Sequence, residues 1–218
     1  YRSSAYLALI VSLSLAACSE STPVAAPYAV EEVPLSQISA DLVAGGTTSV
    51  AVTEAYIERI KAYDDKFNAV VMVAPDAVQQ AAASDQRRKE GKSLGPLDGI
   101  PILLKDNIDA VGMPTTVGSF AMLENMPAQD SEVARRLRAA GVVILGKANT
   151  SQWAGLRTTS AFAGSTVGGT TRNPYDLTRT AAGSSSGSGI ATAASLAAAT
   201  VGTDTTGSIM GPSSIMGL

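Results

Sequence analysis

Apolar and polar residues alternate along this chain at two different spacings, and the spacing predicts the elements. Ser36 caps a helix running to about Ala44, where Gly45-Gly46 stops it. A second helix covers about Val50 to Tyr63, with Val52, Tyr56, Ile60 and Tyr63 on one face at helical spacing. Ala69 to Val73 is a short unbroken apolar run, as expected of a strand covered on both sides. Pro75-Asp76 opens a third helix that ends near Lys89, before Gly91. Leu97 to Leu104 reads as another buried strand, delivering Lys105 at its C-terminal end. Asp130-Ser131 caps a helix through Ala140, Gly141 ends it, and Val142 to Leu145 follows as a strand. The Ala-rich stretch from Ile190 to Val201 is too short to span a membrane and reads as a packed core helix. Strands alternating with helices argue for an α/β sheet with helices on both faces, and no internal repeat interrupts the pattern.

The first residues follow another logic. Arg2 supplies a positive start, and Ala5 to Leu15 is apolar except at Ser12 and Ser14. An apolar run of roughly 7–15 residues with small residues behind it reads as a secretory signal, the alternative being a buried helix at the front of the domain. Cys18, the only cysteine, excludes an intrachain disulfide. Its place after Leu15-Ala16-Ala17 resembles the lipobox of bacterial lipoproteins, whose cysteine carries the lipid; an ordinary signal peptide with an incidental cysteine is the other reading. Ser19 to Pro27 is a short flexible tether. The division expected is a signal over 1–17, a tether over 18–34 and one domain over 35–218, in a protein of the bacterial cell envelope that is lipid-anchored through Cys18, periplasmic or secreted. Tyr1 at the start and the apolar Ile215 to Leu218 at the end are those expected of a fragment.

Composition narrows the partners. Net charge is −3 and charged residues make up 16% of the chain, so nothing points to nucleic acid. The hydrophobic fraction of 45%, with only 5% aromatics, is that of a packed α/β core.

The chain has no histidine, so a Ser-His-Asp triad cannot be assembled. Three features carry other chemistry. The run Gly183-Ser184-Ser185-Ser186-Gly187-Ser188-Gly189 could be a linker or a phosphate loop, although it lacks the Gly-Lys-Ser/Thr ending of the latter. Thr205-Thr206-Gly207-Ser208 is either a plain tight turn or a set of small residues aiming N–H groups at one point, as an oxyanion hole requires. Lys105 ends an apolar stretch, where it either snorkels and pairs with Asp106 or Asp98, or is buried as a base. A neutral lysine at pH 7 costs about 4–5 kcal/mol from its ordinary pKa, and burial can shift that pKa by about 3–5 units.

Taken together, Gly183 to Ser188, then Gly202-Thr203-Asp204-Thr205-Thr206-Gly207-Ser208-Ile209 with Pro212, and Gly99-Ile-Pro-Ile-Leu-Leu-Lys105-Asp106-Asn107 resemble the signature of the amidase signature family. Supporting stretches are Gly95 to Asp98, Thr115-Thr116, Leu145 to Asn149, Trp153-Ala154 and Arg172 to Tyr175. The resemblance covers Leu35 to the end. It implies a mixed central sheet with helices on both faces, of which this chain carries the N-terminal half. It also implies hydrolysis of a carboxamide in a small molecule or peptide, giving a carboxylate and ammonia or an amine. Ser208 would be the nucleophile, Ser184, on an unusual cis peptide bond, the relay, and Lys105 the base. Thr205, Thr206 and Gly207 would form the oxyanion hole with the Ser208 N–H, and Ser185 and Asp204 would support the loops. No metal or organic cofactor is implied.

The chain departs from the family pattern at three places. Ser186 stands where many members have glycine, a variant of the peptide-amidase-like branch. Thr206 replaces glycine or aspartate, and a β-branched residue there resists positive φ. Met210 replaces arginine. Two other readings share the scaffold: a glutaminase like the A subunit of the amidotransferases, and a non-catalytic envelope binding protein. The amide cleaved and the oligomeric state are left open.

Overall fold

The computed structural model describes residues 27–155 and 163–218. The signal, Cys18 and most of the tether lie outside the described residues. Three helices lead. Helix α1 (Leu35–Ala44) follows Pro34, whose carbonyl accepts the Gln37 and Ile38 N–H groups, so Pro34 rather than Ser36 begins the helix. Gly45, at φ +72°, closes it in the left-handed region that glycine adopts freely. Helix α2 (Ser49–Tyr63) is capped by the Thr48 hydroxyl, which accepts the Ala51 N–H. Its inward face carries Val52, Tyr56 and Ile60. Tyr63, expected on that face, is 41% exposed, and Arg59 lies 4.9 Å above its ring. At the end of the helix the chain is already turning into Asp64–Lys66, which carries the last tyrosine off the core.

Strand β1 (Val70–Val73) leads to α3 (Ala77–Lys89), β2 (Pro101–Lys105), α4 (Glu132–Ala139) and β3 (Val143–Ala148). Strand β2 starts later than the apolar run suggests, because Leu97 to Ile100 form a turn with Gly99 at φ +87°. A Cβ at Gly99 would come within 2.5 Å of the Ser84 hydroxyl. Asp85 of α3 reaches back to the start of α2, its carboxylate accepting the N–H groups of Ser49 (2.7 Å) and Val50 (3.0 Å). Those are donors that a helix cannot satisfy itself. Asp85→Ala is therefore expected to destabilise the fold by about 1–2 kcal/mol, read as a lower urea midpoint at unchanged slope.

The second half holds a short hairpin, β4 (Gly164–Ser165) and β5 (Gly169–Thr170), then α5 (Ser186–Ala193), β6 (Ala199–Val201) and α6 (Met210–Met216). The Ala-rich stretch is thus not one helix. Helix α5 begins inside the Gly/Ser run, Ser195 turns at φ +54°, and residues 199–201 pair with β2. Alanine suits a helix, but an unpaired flank of β2 offers Thr200 and Val201 a ladder, and tertiary pairing overrides local preference.

The main sheet has the order β1-β3-β2-β6. β1 runs antiparallel to β3, and β2 is parallel to both β3 and β6, so the sheet is mixed. Every residue of β2 and β3 is buried, without the alternation of a half-wet sheet, so both faces are covered. Helices α2 and α3 and helix α5 provide cover. This arrangement brings the C-terminal ends of β2 and β6 together, with the start of α5 beside them.

Candidate active site

Lys105 is the last residue of β2 and is fully buried. Its Nζ lies 2.7 Å from the Ser184 Oγ, 2.8 Å from the Thr203 Oγ1 and 3.4 Å from the Thr203 carbonyl. It pairs with neither acid considered from the sequence. Asp98 instead binds Arg87 at 2.6 Å, and Asp106 faces Lys147. Burial pushes the Lys105 amine down to about 8, while the Asp204 carboxylate pulls the other way. At about 8, roughly one amine in ten is neutral at pH 7.

Three segments fix Ser184. The Gly183–Ser184 peptide is cis. The Ser184 carbonyl accepts the Ser151 N–H at 2.9 Å and the Thr150 hydroxyl at 3.1 Å. The next residue, Ser185, donates its hydroxyl to the Thr203 carbonyl (3.1 Å) and accepts the Thr203 N–H (3.2 Å), clamping α5 to the loop after β6. The first turn of α5 then presses on the sheet. A Cβ at Gly187 would meet the Ala69 carbonyl at 2.3 Å and the Asn149 backbone at 2.5 and 2.6 Å. Ser186 is buried beside it, its hydroxyl without a partner among the described residues.

Ser208 arrives from the other side. Its carbonyl accepts the Ser185 N–H at 3.1 Å, so the two serine segments lie side by side. Ser208 itself is half-buried. Asp204 organises the turn before it, accepting the N–H groups of Gly207 (2.6 Å), Ile209 (2.6 Å) and Met210 (3.1 Å). The N–H groups of Ile209 and Met210 above all hold the Asp204 carboxyl below the usual carboxylate range. The N–H groups of Gly207 and Ser208 are therefore turned to Asp204 in this conformation, while those of Thr205 and Thr206 have no partner among the described residues. Thr206 escapes the strain that its β-branch would suffer, because the left-handed position in the turn falls to Gly207, at φ +89°.

The structure thus brings Lys105, Ser184, Ser185 and the 203–208 loop together. Two members of the cluster had no role assigned from the sequence. Thr203 takes a hydrogen bond from Lys105 and, at 2.9 Å, one from the Asn107 amide. The Asn107 Oδ1 is buried and unpartnered among the described residues. The signal for both was adjacency: Asn107 lies two residues after the lysine and Thr203 five before Ser208. Chemically, a neutral amine bonded to a serine hydroxyl can take a proton through it.

The family model Amidase matches residues 51–218. The chain is 45% identical over 184 residues to the A subunit of the Glutamyl-tRNA(Gln) amidotransferase of Streptomyces coelicolor, covering 83% of this chain and 36% of that protein. Native peptide amidase from Stenotrophomonas maltophilia superposes with a TM-score of 0.79 at 44% identity, covering 83% of this chain and 38% of the other. A peptide amidase in complex with the competitive inhibitor chymostatin gives a TM-score of 0.80 at 43% identity, with 84% and 38% covered. The chain therefore spans little more than a third of the length of these relatives.

Proposed function

Since this chain belongs to the amidase family, we propose that the intact protein hydrolyses a carboxamide C–N bond through a Ser-Ser-Lys relay. The observation that carries this reading is the 2.7 Å contact between the Ser184 hydroxyl and a fully buried Lys105 amine with a lowered pKa. The Ser208 Oγ attacks the carbonyl carbon and gives its proton to Ser184, which passes its own to neutral Lys105. The negative charge on the carbonyl oxygen is met by the N–H groups of Thr205 and Thr206, with Gly207 joining when Asp204 releases it. Lys105 then returns the proton through Ser184 to the departing nitrogen, ammonia or amine leaves, and water repeats the sequence on the acyl-serine.

Peptide amidases and the amidotransferase relatives are similar to this chain to the same degree, so identity does not choose the amide. The lipobox-like Leu15 to Cys18 favours an envelope amidase acting on small or peptide carboxamides over a glutaminase serving a cytoplasmic tRNA. Radiolabelled palmitate carried by the wild type and missing from Cys18→Ser would support the anchor; equal labelling would remove it.

The direct test of the chemistry is fluorophosphonate labelling of the intact protein with the adduct mapped by mass spectrometry. Label is expected on Ser208, and its rate is expected to rise with pH through about 8 as Lys105 loses its proton. Folded, unlabelled protein would move the reading to a binding scaffold. Stability should follow the same group. The folded lysine releases its proton near 8 and the unfolded one near 10.5, so the unfolded state binds more protons between these values. The Lys105 contribution to stability therefore rises with pH across that window.

A further inference from the structure

Lys105 and Asp106 are consecutive and both fully buried, yet they do not pair. The end of the strand explains why. Lys105 closes β2 with its amine on Ser184, while Asp106 is the first residue of the turn that follows and carries its carboxylate to Lys147 and Thr116. In register, Lys147 of β3 stands opposite Leu104, one residue before the end of β2. There the Lys147 Nζ donates to the Ile108 carbonyl (2.8 Å), the Thr115 hydroxyl (3.1 Å) and the Asp106 carboxylate (3.4 Å). Asp106 also accepts the Thr116 hydroxyl and, at 3.2 Å, the Thr116 N–H. Lys147 is fully buried too. Two lysines and one carboxylate are thus enclosed around the end of β2, and the carboxylate is taken by the lysine remote from the serines.

We infer that Lys147 is a positioning residue for the reaction: it holds and neutralises the Asp106 carboxylate at the turn after β2, leaving Lys105 with hydroxyl and carbonyl hydrogen-bond neighbours only, among the described residues. A carboxylate freed one residue away would favour the charged ammonium, and a charged amine accepts no proton. The charged groups around this end of β2 are Asp204 in the loop after β6, Asp106 beside Lys105, and Lys147 on β3, itself under the influence of Asp109. Of these, Asp204 is exposed and screened by water, whereas Asp106 is enclosed and is countered by Lys147. The inference rests on Lys105 being the base.

The test is the pH profile of fluorophosphonate labelling at Ser208 in the intact protein. Lys147→Met is expected to raise the midpoint by about one unit, lowering the rate at pH 7 by about tenfold. The double variant D106N/K147M, which removes both charges of this ion pair together, is expected to return the midpoint to the wild-type value. An unchanged midpoint in folded K147M overturns the inference, as does a double variant shifted as far as the single one. Should K147M not fold, Lys147→Arg and D106N/K147M decide: both are expected at the wild-type midpoint, and a rise in either overturns it. Lys105→Ala run alongside separates this failure from failure of the base assignment, since labelling that survives in that variant removes the base itself.

Discussion

Replacing Lys105 with methionine is expected to lower fluorophosphonate labelling of Ser208, and any carboxamide turnover, by about a thousandfold or more. Methionine keeps the length and removes the amine, so the Ser184 hydroxyl loses the only nitrogen base within hydrogen-bond reach among the described residues. The same loss is expected for Lys105→Arg, whose guanidinium keeps the positive charge but does not deprotonate. The pair of variants separates a base from a mere cation, which arginine could replace. Folding should survive. The drop of the Lys105 amine from 10.5 to about 8 corresponds to roughly 3 kcal/mol of preference for the neutral form. An apolar side chain at that position carries no such penalty, and Thr203 keeps its hydrogen bond from Asn107. Circular dichroism and a urea midpoint at or above that of wild type, beside lost labelling, are the expected combination. Labelling within tenfold of wild type in a folded K105M protein would exclude the relay.

The second large effect concerns the backbone. Gly187→Ala is expected to cost about 3 kcal/mol or more, because its Cβ would overlap three backbone atoms rather than flexible side-chain ends. Neither the Ala69 carbonyl nor the Asn149 peptide can yield without breaking the N–H contact from Asn149 to Ala69 (2.8 Å) or from Gly187 to Asn149 (3.0 Å). At about 2–4 °C per kcal/mol for a domain of this size, the melting temperature should fall by roughly 10 °C, or soluble protein should be lost. Gly45→Ala is the control. Gly45 has positive φ but nothing within 4 Å of a Cβ, so only backbone strain of about 1 kcal/mol is expected. Equal melting temperatures for the two variants would mean that α5 does not rest on the sheet as closely as described.

The early helices were legible because their ends carry local chemistry. Gly45, Ser131 and Gly141 are caps or stops whose effect depends on a few neighbouring atoms, whereas the starts of α1 and α2, at Pro34 and Thr48, were not read from the sequence. Strand β3 declared itself by an unbroken apolar run and extends past Leu145 to Ala148 because Lys147 pairs within the core; β1 has a similar run but lies at the sheet edge, half-buried rather than covered on both sides as its sequence suggests. The stretch after Ile190 was not legible, since nothing local to Ala199 and Thr200 announces a ladder with residues nearly a hundred positions earlier. The hairpin at 164–170 is two residues per strand, too short for any period to show. At the site, Lys105 and the serines stood out by motif, but the partner of each charge did not. Which acid meets which lysine was decided by where β2 ends and by its register with β3, facts of pairing that a linear reading of Lys105-Asp106 cannot contain.

The loop that carries Thr203 has a consequence for how such a site comes into being. Lys105 meets Ser184 across 79 residues of chain and Thr203 across 98. Closing such spans precedes any reward from the contacts they bring, which makes these pairings late and slow steps of folding. A chain in which only α1 to α3 and the first strands have settled holds an ordinary protonated lysine and ordinary alcohols. On the proposed relay, nucleophilic reactivity would arise only once these spans are closed, and a nascent or partly unfolded copy would be inert toward the amides around it, including its own.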